Sequence, residues 1–379
     1  MDRCLTVVIA GGGTGGHLYP GIAVAREILR RVPGARVSFA GTSRGLEARV
    51  VPREGFELDV IRSAGLKGRS MASRLRGVAL LAPGLADAWG IVSRRRPQVV
   101  MGVGGYSSGP VVLVAAIRGV PTMVLEQNAV PGLTNRWLAR WVGAAAVTYE
   151  QTASYFHGRG FVSGNPVRSE FLESGPPSSK FEVRSSKLER VLVLGGSQGA
   201  HAINVAMVAA APQLVRARPG LEVVHQTGDR DLGAVGEAYR AAGIAARAES
   251  FLDPVAREMS AADLVICRAG ATTLAELAAL GRPAVLVPLP AAADDHQSKN
   301  ARAVTAVGAA EVIDQRDLSG ETLASLVGRL LGDRPRLATM SHAMRGLARP
   351  HAASVIVDRL LALAKWKDDL GAHFTEGEQ

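Results

Sequence analysis

Cysteine and aromatic residues are scarce. The two cysteines, Cys4 and Cys267, stand far apart and form no Cys-x-x-Cys pair. That excludes a disulfide framework and a thiol-rich zinc site, and it fits a reducing compartment. Aromatics make up 4% of the chain, too few to supply the stacking platforms that single-stranded nucleic acid uses. No long apolar run is free of charge; the best stretch, 77–92, contains Pro83 and Asp87, so no transmembrane helix is expected. The opening MDRCLTVVIAGGG reads as a core strand running into a glycine loop, not as the apolar core and small-residue cleavage site of a signal peptide. A cytosolic protein is expected.

What is present is apolar and basic. The chain has 379 residues, 47% of them hydrophobic, which is too apolar for disorder and long enough for two domains, each burying its own core. The formal net charge is +10, and arginine supplies 38 of the 44 basic residues. A basic soluble protein favours anionic partners: nucleic acid, anionic lipid headgroups or phosphorylated substrates. The shortage of aromatics weighs against the first.

Short apolar runs alternate with helical patterns. Strands are predicted at 5–10, 36–41, 98–103, 121–127 and 144–149, with helices such as 20–31 and 108–118 between them. The alternation restarts with strands at 190–196, 221–228, 262–270 and 283–290. This pattern predicts an α/β chain of doubly wound parallel sheets. The stretch 173–189 is rich in Pro, Ser and charge, and the connection between domains is placed after about residue 163. VVIAGGGTGG (7–16) and VLVLGGSQGA (191–200) echo each other. They suggest two copies of one mononucleotide-binding unit facing a cleft, or two coincidentally similar turns.

The first loop fits G-x-G-x-x-G at Gly11, Gly13 and Gly16, but the second strand ends in Gly41 and Thr42 where a dinucleotide site needs an acidic ribose clamp, so NAD is disfavoured. What remains is a glycine turn letting backbone approach a ligand at a helix N-terminus. His17 sits at that helix start, as a general base or as a histidine bonded to backbone. Gly195, Gly196, Ser197, Gln198 and Gly199 form a candidate anion nest. Thr273 and Glu276 read as a capping box, or as a helix N-terminus aimed at a diphosphate with Glu276 accepting from a ribose diol. The polar cluster 292–301 suits sugar hydroxyls, and 102–110 and 126–132 end two strands on the face of His17. Residues 60–86 contain no acid; Arg62, Lys67, Arg69, Arg74 and Arg76 adjoin Leu75, Leu80, Leu81 and Leu85. Part of that stripe is core, and the basic collar with its surplus leucines suits docking on an anionic bilayer.

GGGTGGHLYPGIAVA, GGYSSGP, LEQNAVPGLTN, GNPVR, GGSQGA, CRAGATTLAE and DDHQSKNA occur in this order between about residues 5 and 355. Together they resemble the MurG family, the UDP-N-acetylglucosamine–N-acetylmuramyl-(pentapeptide) pyrophosphoryl-undecaprenol N-acetylglucosamine transferases of peptidoglycan synthesis. The resemblance implies a GT-B fold: two Rossmann-like doubly wound domains facing a central cleft. It divides the chain into an acceptor- and membrane-binding domain (1–163), a donor-binding domain (164–349), a helix returning to the first domain (350–365) and a polar tail (366–379). It implies inverting transfer of N-acetylglucosamine (GlcNAc) from UDP-GlcNAc to the C4 hydroxyl of the muramyl sugar of lipid I, forming lipid II for cell-wall growth and division.

Carried over by motif, the donor would meet Thr14, Gly15, Gly16, Asn128, Arg168, Ser197, Leu252 (by its backbone), Ala271, Thr272, Thr273, Leu274, Ala275, Glu276 and Gln297. The acceptor would meet Gly13, His17 and Tyr106. His17 is the candidate base and Glu126 the fallback. No metal or other cofactor is implied, because helix N-termini and Arg168 would neutralise the diphosphate. The implied partners are UDP-GlcNAc, lipid I, the anionic inner face of the cell membrane, where the protein would be peripheral, and other cell-wall synthesis proteins, with no nucleic acid. A UDP-sugar epimerase, a non-catalytic nucleotide-sugar or lipid binder and a dehydrogenase are the competing readings.

Overall fold

A computed structural model describes residues 4–63, 81–173, 189–196, 199–290 and 295–366. The chain forms two compact units, one of residues 1–168 and 349–379 and the other of residues 169–348.

In the first unit, strands β1 (Thr6–Gly11), β2 (Arg36–Gly41), β3 (Glu57–Val60), β4 (Val99–Gly104), β5 (Thr122–Glu126), β6 (Ala144–Val147) and β7 (Gly160–Val162) alternate with helices α1 (Gly15–Arg31), α2 (Glu47–Arg53), α3 (Leu81–Arg95), α4 (Ser108–Ile117), α5 (Leu133–Leu138) and α6 (Glu150–Ala153). The sheet order is β3-β2-β1-β4-β5-β6-β7, and the paired strands are all parallel. Successive β1 residues serve opposite faces: Val7 and Ile9 join one core with Ile22 and Ile28, whereas Val8 and Ala10 join the other with Ala88 and Val112. Burial on both faces explains why this strand reads as a continuous apolar run.

The second unit holds α7 (Ser169–Glu173), β8 (Arg190–Leu194), α8 (His201–Ala217), β9 (Glu222–Gln226), α9 (Leu232–Ala242), β10 (Ala245–Glu249), α10 (Val255–Ala261), β11 (Leu264–Cys267), α11 (Ala271–Leu280), β12 (Ala284–Leu286), α12 (His296–Thr305), β13 (Ala310–Val312), α13 (Gly320–Gly332) and α14 (Arg334–Gly346). Its sheet is parallel with order β10-β9-β8-β11-β12-β13. The last helix, α15 (Ala352–Leu363), belongs to the first unit, where Ile356, Val357, Leu360 and Leu361 are buried in the core beside α1.

The structure adds four strands, β3, β7, β10 and β13, to the nine predicted. All four are sheet edges. An edge strand carries few buried residues, as in the largely exposed AARAE of β10, so the apolar signal is lost. A second correction concerns α11. Gly270 is its N-cap and Thr273 lies inside the first turn, so Thr273 and Glu276 do not form a capping box. No helix among the described residues is long and apolar enough to cross a membrane.

Both sheets reverse their winding once, between β1 and β4 in the first unit and between β8 and β11 in the second. At such a switch point the loops leaving the two strands diverge and open a crevice at the carboxyl ends. That placement selects the loops after Gly11 and Gly104, and those after Leu194 and Cys267.

Candidate active site

In the first unit, β1 runs through Gly11 into a turn that ends at Thr14, the extended N-cap of α1. Thr14 makes no side-chain cap; its hydroxyl lies 3.2 Å from His17 Nδ1. The half-buried imidazole rests against bare backbone: a Cβ at Gly104 would stand 2.7 Å from His17 Cδ2 and 3.1 Å from Nε2. A glycine is needed there on both counts, because Gly104 also has φ +96°. Tyr106 follows two residues later, 53% exposed, and its carbonyl accepts from Ser63 Oγ at 3.0 Å. Gly13, Thr14, Gly15, Gly16 and His17 on one side and Tyr106 on the other therefore follow the two strands, β1 and β4, that flank the switch point of this unit.

Glu126 ends β5 in a different setting. It is 2% exposed. Oε1 accepts from Asn128 N–H (3.0 Å) and Asn128 Nδ2 (3.1 Å), and Oε2 from Gly132 N–H (3.0 Å) and Asn135 Nδ2 (2.9 Å). Burial pushes its pKa above the ordinary carboxylate value, although the four donors pull the other way. The carboxylate knits the 126–135 loop together and is closed off by it. Arg168, the last residue before the second unit, lays its guanidinium 4.6 Å from the Tyr19 ring centroid.

In the second unit, the loop after β8 begins Gly195-Gly196. Gln226, at the end of β9, ties it down: its Nε2 donates to Gly196 O (2.7 Å) and its Oε1 accepts the Leu252 N–H (3.1 Å). The buried Leu252 thus has its amide engaged from within. Behind the loop lies a chain of buried polar groups. His225 Nδ1 is 2.7 Å from Tyr239 Oη, and Nε2 is 3.0 Å from Asn204 Oδ1. Asn204 Nδ2 donates to Thr227 O (2.9 Å) and Asp231 Oδ2 (2.8 Å), and Asp231 also meets His201 Nδ1 at 2.8 Å. Since the Asn204 amide nitrogen is donating, its oxygen accepts from His225 Nε2–H, and the tyrosine hydroxyl donates to Nδ1. Burial holds this neutral imidazole down at a pKa of about 3.

Ala271, Thr272 and Thr273 form the first turn of α11, whose N–H groups no helical carbonyl reaches. Leu274, Ala275 and Glu276 continue it; Thr272 and Glu276 are buried at 7% and 6% exposure. Burial and the Glu276 charge raise the Cys267 thiol to about 12, which leaves it inert. Arg268 donates to Val287 O (3.0 Å) and Gln315 Oε1 (2.8 Å), and Gln297 Oε1 accepts from Leu289 N–H (3.0 Å). Both thereby brace the loop after β12.

Three polar groups escaped the sequence reading. Gln226 could have been found as a polar residue closing an apolar strand. Glu47 gave no signal beyond an acid at a short helix start. Asp229-Arg230-Asp231 is an Asp-x-Asp triplet that the sequence reading passed over; the Asp231 side chain is committed to His201 and Asn204, and the residue stands at the N-cap position of α9 without a side-chain cap. Ser197, Lys67, Arg69, Arg74, Leu75, Arg76 and Leu80 lie outside the described residues; Leu81 opens α3, and Leu85 within it is half-buried.

Comparison with known proteins gives this arrangement a family. The glycosyltransferase family 28 N-terminal domain matches residues 7–147, and the family 28 C-terminal domain matches residues 190–356. The chain belongs to glycosyltransferase family 28. It is 44% identical over 380 residues to an Anaeromyxobacter sp. (strain K) protein named UDP-N-acetylglucosamine--N-acetylmuramyl-(pentapeptide) pyrophosphoryl-undecaprenol N-acetylglucosamine transferase, covering 99% of this chain and 98% of the relative. Among solved structures it is similar to Acinetobacter baumannii MurG, with 30% identity, a TM-score of 0.74 and coverage of 94% of this chain and 99% of that one. A UDP-N-acetylglucosamine 2-epimerase superposes with a TM-score of 0.70 at 13% identity, a likeness of fold alone. The two Rossmann-like parallel-sheet units are those of the GT-B class, and the family makes the chain a UDP-GlcNAc-dependent hexosyltransferase.

Proposed function

We propose that the chain transfers N-acetylglucosamine, with inversion, from UDP-GlcNAc to the C4 hydroxyl of the muramyl sugar of undecaprenyl-pyrophosphoryl-MurNAc-pentapeptide, converting lipid I to lipid II. The observation that carries this reading is 44% identity over almost the whole length of a relative bearing that name. A 2-epimerase shares only the fold.

Inversion is a single in-line displacement. The C4 oxygen attacks the anomeric carbon, the bond to UDP breaks, and the hydroxyl proton passes to a base. His17 is that base in our reading. In the tautomer whose Nδ1–H donates to the Thr14 hydroxyl, Nε2 is the ring nitrogen that would take the proton. The enclosure of Glu126 by four donors supports His17 over the fallback. Tyr106 and Gly13 line the acceptor side. Thr14, Gly15, Gly16, Asn128 and Arg168 serve the donor from the first unit, and Ser197, Leu252, Gln297 and the 271–276 segment from the second. With its N–H held by Gln226, Leu252 would offer uracil its carbonyl, and Glu276 would accept from the ribose. The first-turn amides of α11 and Arg168 would stabilise the departing diphosphate, so transfer is read as needing no metal or other cofactor.

The same reading puts the protein at the cytoplasmic face of the membrane, as a peripheral protein with anionic lipid and other cell-wall synthesis proteins as neighbours. Trp89 on α3, Ile117 on α4, Trp137 on α5 and the nearby Trp141 are each at least half exposed. The three helices are neighbours in the packing, and Arg118 lies 4.9 Å over the Trp89 ring. Exposed indoles beside arginine suit an interface, and Trp89 lies just beyond the basic 60–86 segment in sequence.

The test is product analysis with a short-chain lipid I analogue. The expected product is a disaccharide with a β-glycosidic anomeric proton by NMR. Formation of UDP-N-acetylmannosamine without acceptor would replace the proposal with epimerase chemistry.

A further inference from the structure

Glu47 opens α2 and is 1% exposed, yet it belongs to no part of the reaction described above. Its Oε2 accepts from Gly13 N–H at 2.7 Å, and its Oε1 accepts from Thr42 N–H at 2.9 Å and Thr42 Oγ1 at 2.7 Å. Thr42 Oγ1 in turn accepts from Gly45 N–H at 3.1 Å. The bare backbone of three glycines closes around this carboxylate: a Cβ would stand 2.5 Å from Glu47 Cδ at Gly12 and 2.6 Å from Cγ at Gly41, and would collide with the carboxylate at Gly45. These donors hold the carboxyl below the usual carboxylate range against the opposing cost of burial. An internal anion thus occupies the space between the loop after β1 and the loop after β2, where a dinucleotide-binding unit would admit a ribose and its phosphates. It also takes the Gly13 amide, so that amide is not offered to a diphosphate.

We infer that Glu47 is a positioning residue, a built-in anion that fixes the Gly12–Gly13 turn and through it Thr14 and His17. The inference deepens the transferase reading and rests on it for its catalytic half. The structural half stands alone. Glutamine at 47 keeps the shape but must point its NH2 at the Gly13 or the Thr42 N–H, and either choice breaks one clasp.

Two measurements on Glu47→Gln in the full chain decide it. The first is amide hydrogen exchange over 11–18 and 41–47, expected to accelerate at least about tenfold while the 122–126 strand is unchanged, the loss of roughly one charge-assisted hydrogen bond. The second is steady-state transfer to a short-chain lipid I analogue. kcat should fall about 10- to 100-fold, as for a catalytic group displaced by about 1 Å, while KM for UDP-GlcNAc moves less than about threefold. Unchanged exchange overturns the inference, and so does faster exchange with a wild-type kcat. A wild type that makes no disaccharide fails the transferase reading, and exchange then decides the clasp by itself. Should Glu47→Gln not fold, Thr42→Val removes one clasp and leaves Gly13 held. The same two changes, smaller in size, are expected; their absence overturns the inference.

Discussion

Replacing Gly104 by alanine separates the position of His17 from the stability of its unit. The substitution carries two costs. At φ +96° an L-residue is strained by at least about 1–2 kcal/mol. The new Cβ would also lie 2.7 Å from His17 Cδ2, so an ordinary contact of 3.4 Å requires the ring to retreat by about 0.7 Å. A displacement approaching 1 Å at a catalytic group costs up to about 100-fold in rate. Gly119 is the control. Its φ is +72° with nothing within 4 Å of a Cβ, so Gly119→Ala carries the strain without the collision. Both variants should lose about 1–2 kcal/mol, lowering Tm by about 2–8 °C in a unit of this size. Only Gly104→Ala should lose activity, by about 10- to 100-fold in kcat, in a continuous UDP-release assay with a short-chain acceptor. A folded Gly104→Ala with kcat within twofold of Gly119→Ala would refute the placement of His17 at the reacting centre.

Further substitutions test other parts of the account. His17→Ala should lower kcat by at least about 100-fold with Tm unchanged, whereas Glu126→Gln should lower stability by about 2–4 kcal/mol, because its NH2 would face two of the four donors; urea unfolding separates the two, and a stable, inactive Glu126→Gln would reinstate Glu126 as the base. Glu276→Ala should raise KM for UDP-GlcNAc by about 10- to 100-fold, the worth of a charge-assisted hydrogen bond or two, with a smaller effect on kcat; an unchanged KM removes Glu276 from the ribose. His225 is held neutral with a pKa of about 3, so the unfolded chain takes up its proton first as pH falls. Stability should therefore decline from about pH 6.5 downward, by about 2 kcal/mol at pH 5 from this residue. Urea unfolding of His225→Gln should lack that part of the acid slope, and an identical slope would refute the assignment.

The sequence disclosed the parts of the fold buried on both sides. β1, β4 and β8 announce themselves as unbroken apolar runs, and the glycine turns after β1 and β8 mark the places where backbone must approach something closely. The edge strands are hidden because one-sided burial needs few apolar residues; AARAE in β10 resembles a surface helix. Thr273 and Glu276 match a capping box by spacing, yet Gly270 caps the helix three residues earlier. His17, Tyr106 and the 271–276 segment were legible because they flank glycine loops at strand ends. Glu47 was not, since its partners Gly13 and Thr42 lie 34 and 5 residues away, and only the parallel β1–β2 pairing brings them together. The same holds for Gln226, whose role depends on Leu252, 26 residues on.

The most direct test of the central claim is UDP release from UDP-GlcNAc, measured with and without a short-chain lipid I analogue. The account requires release that depends on the acceptor and matches disaccharide formed one for one. Tight UDP binding with no release in the presence of an authentic acceptor would contradict it.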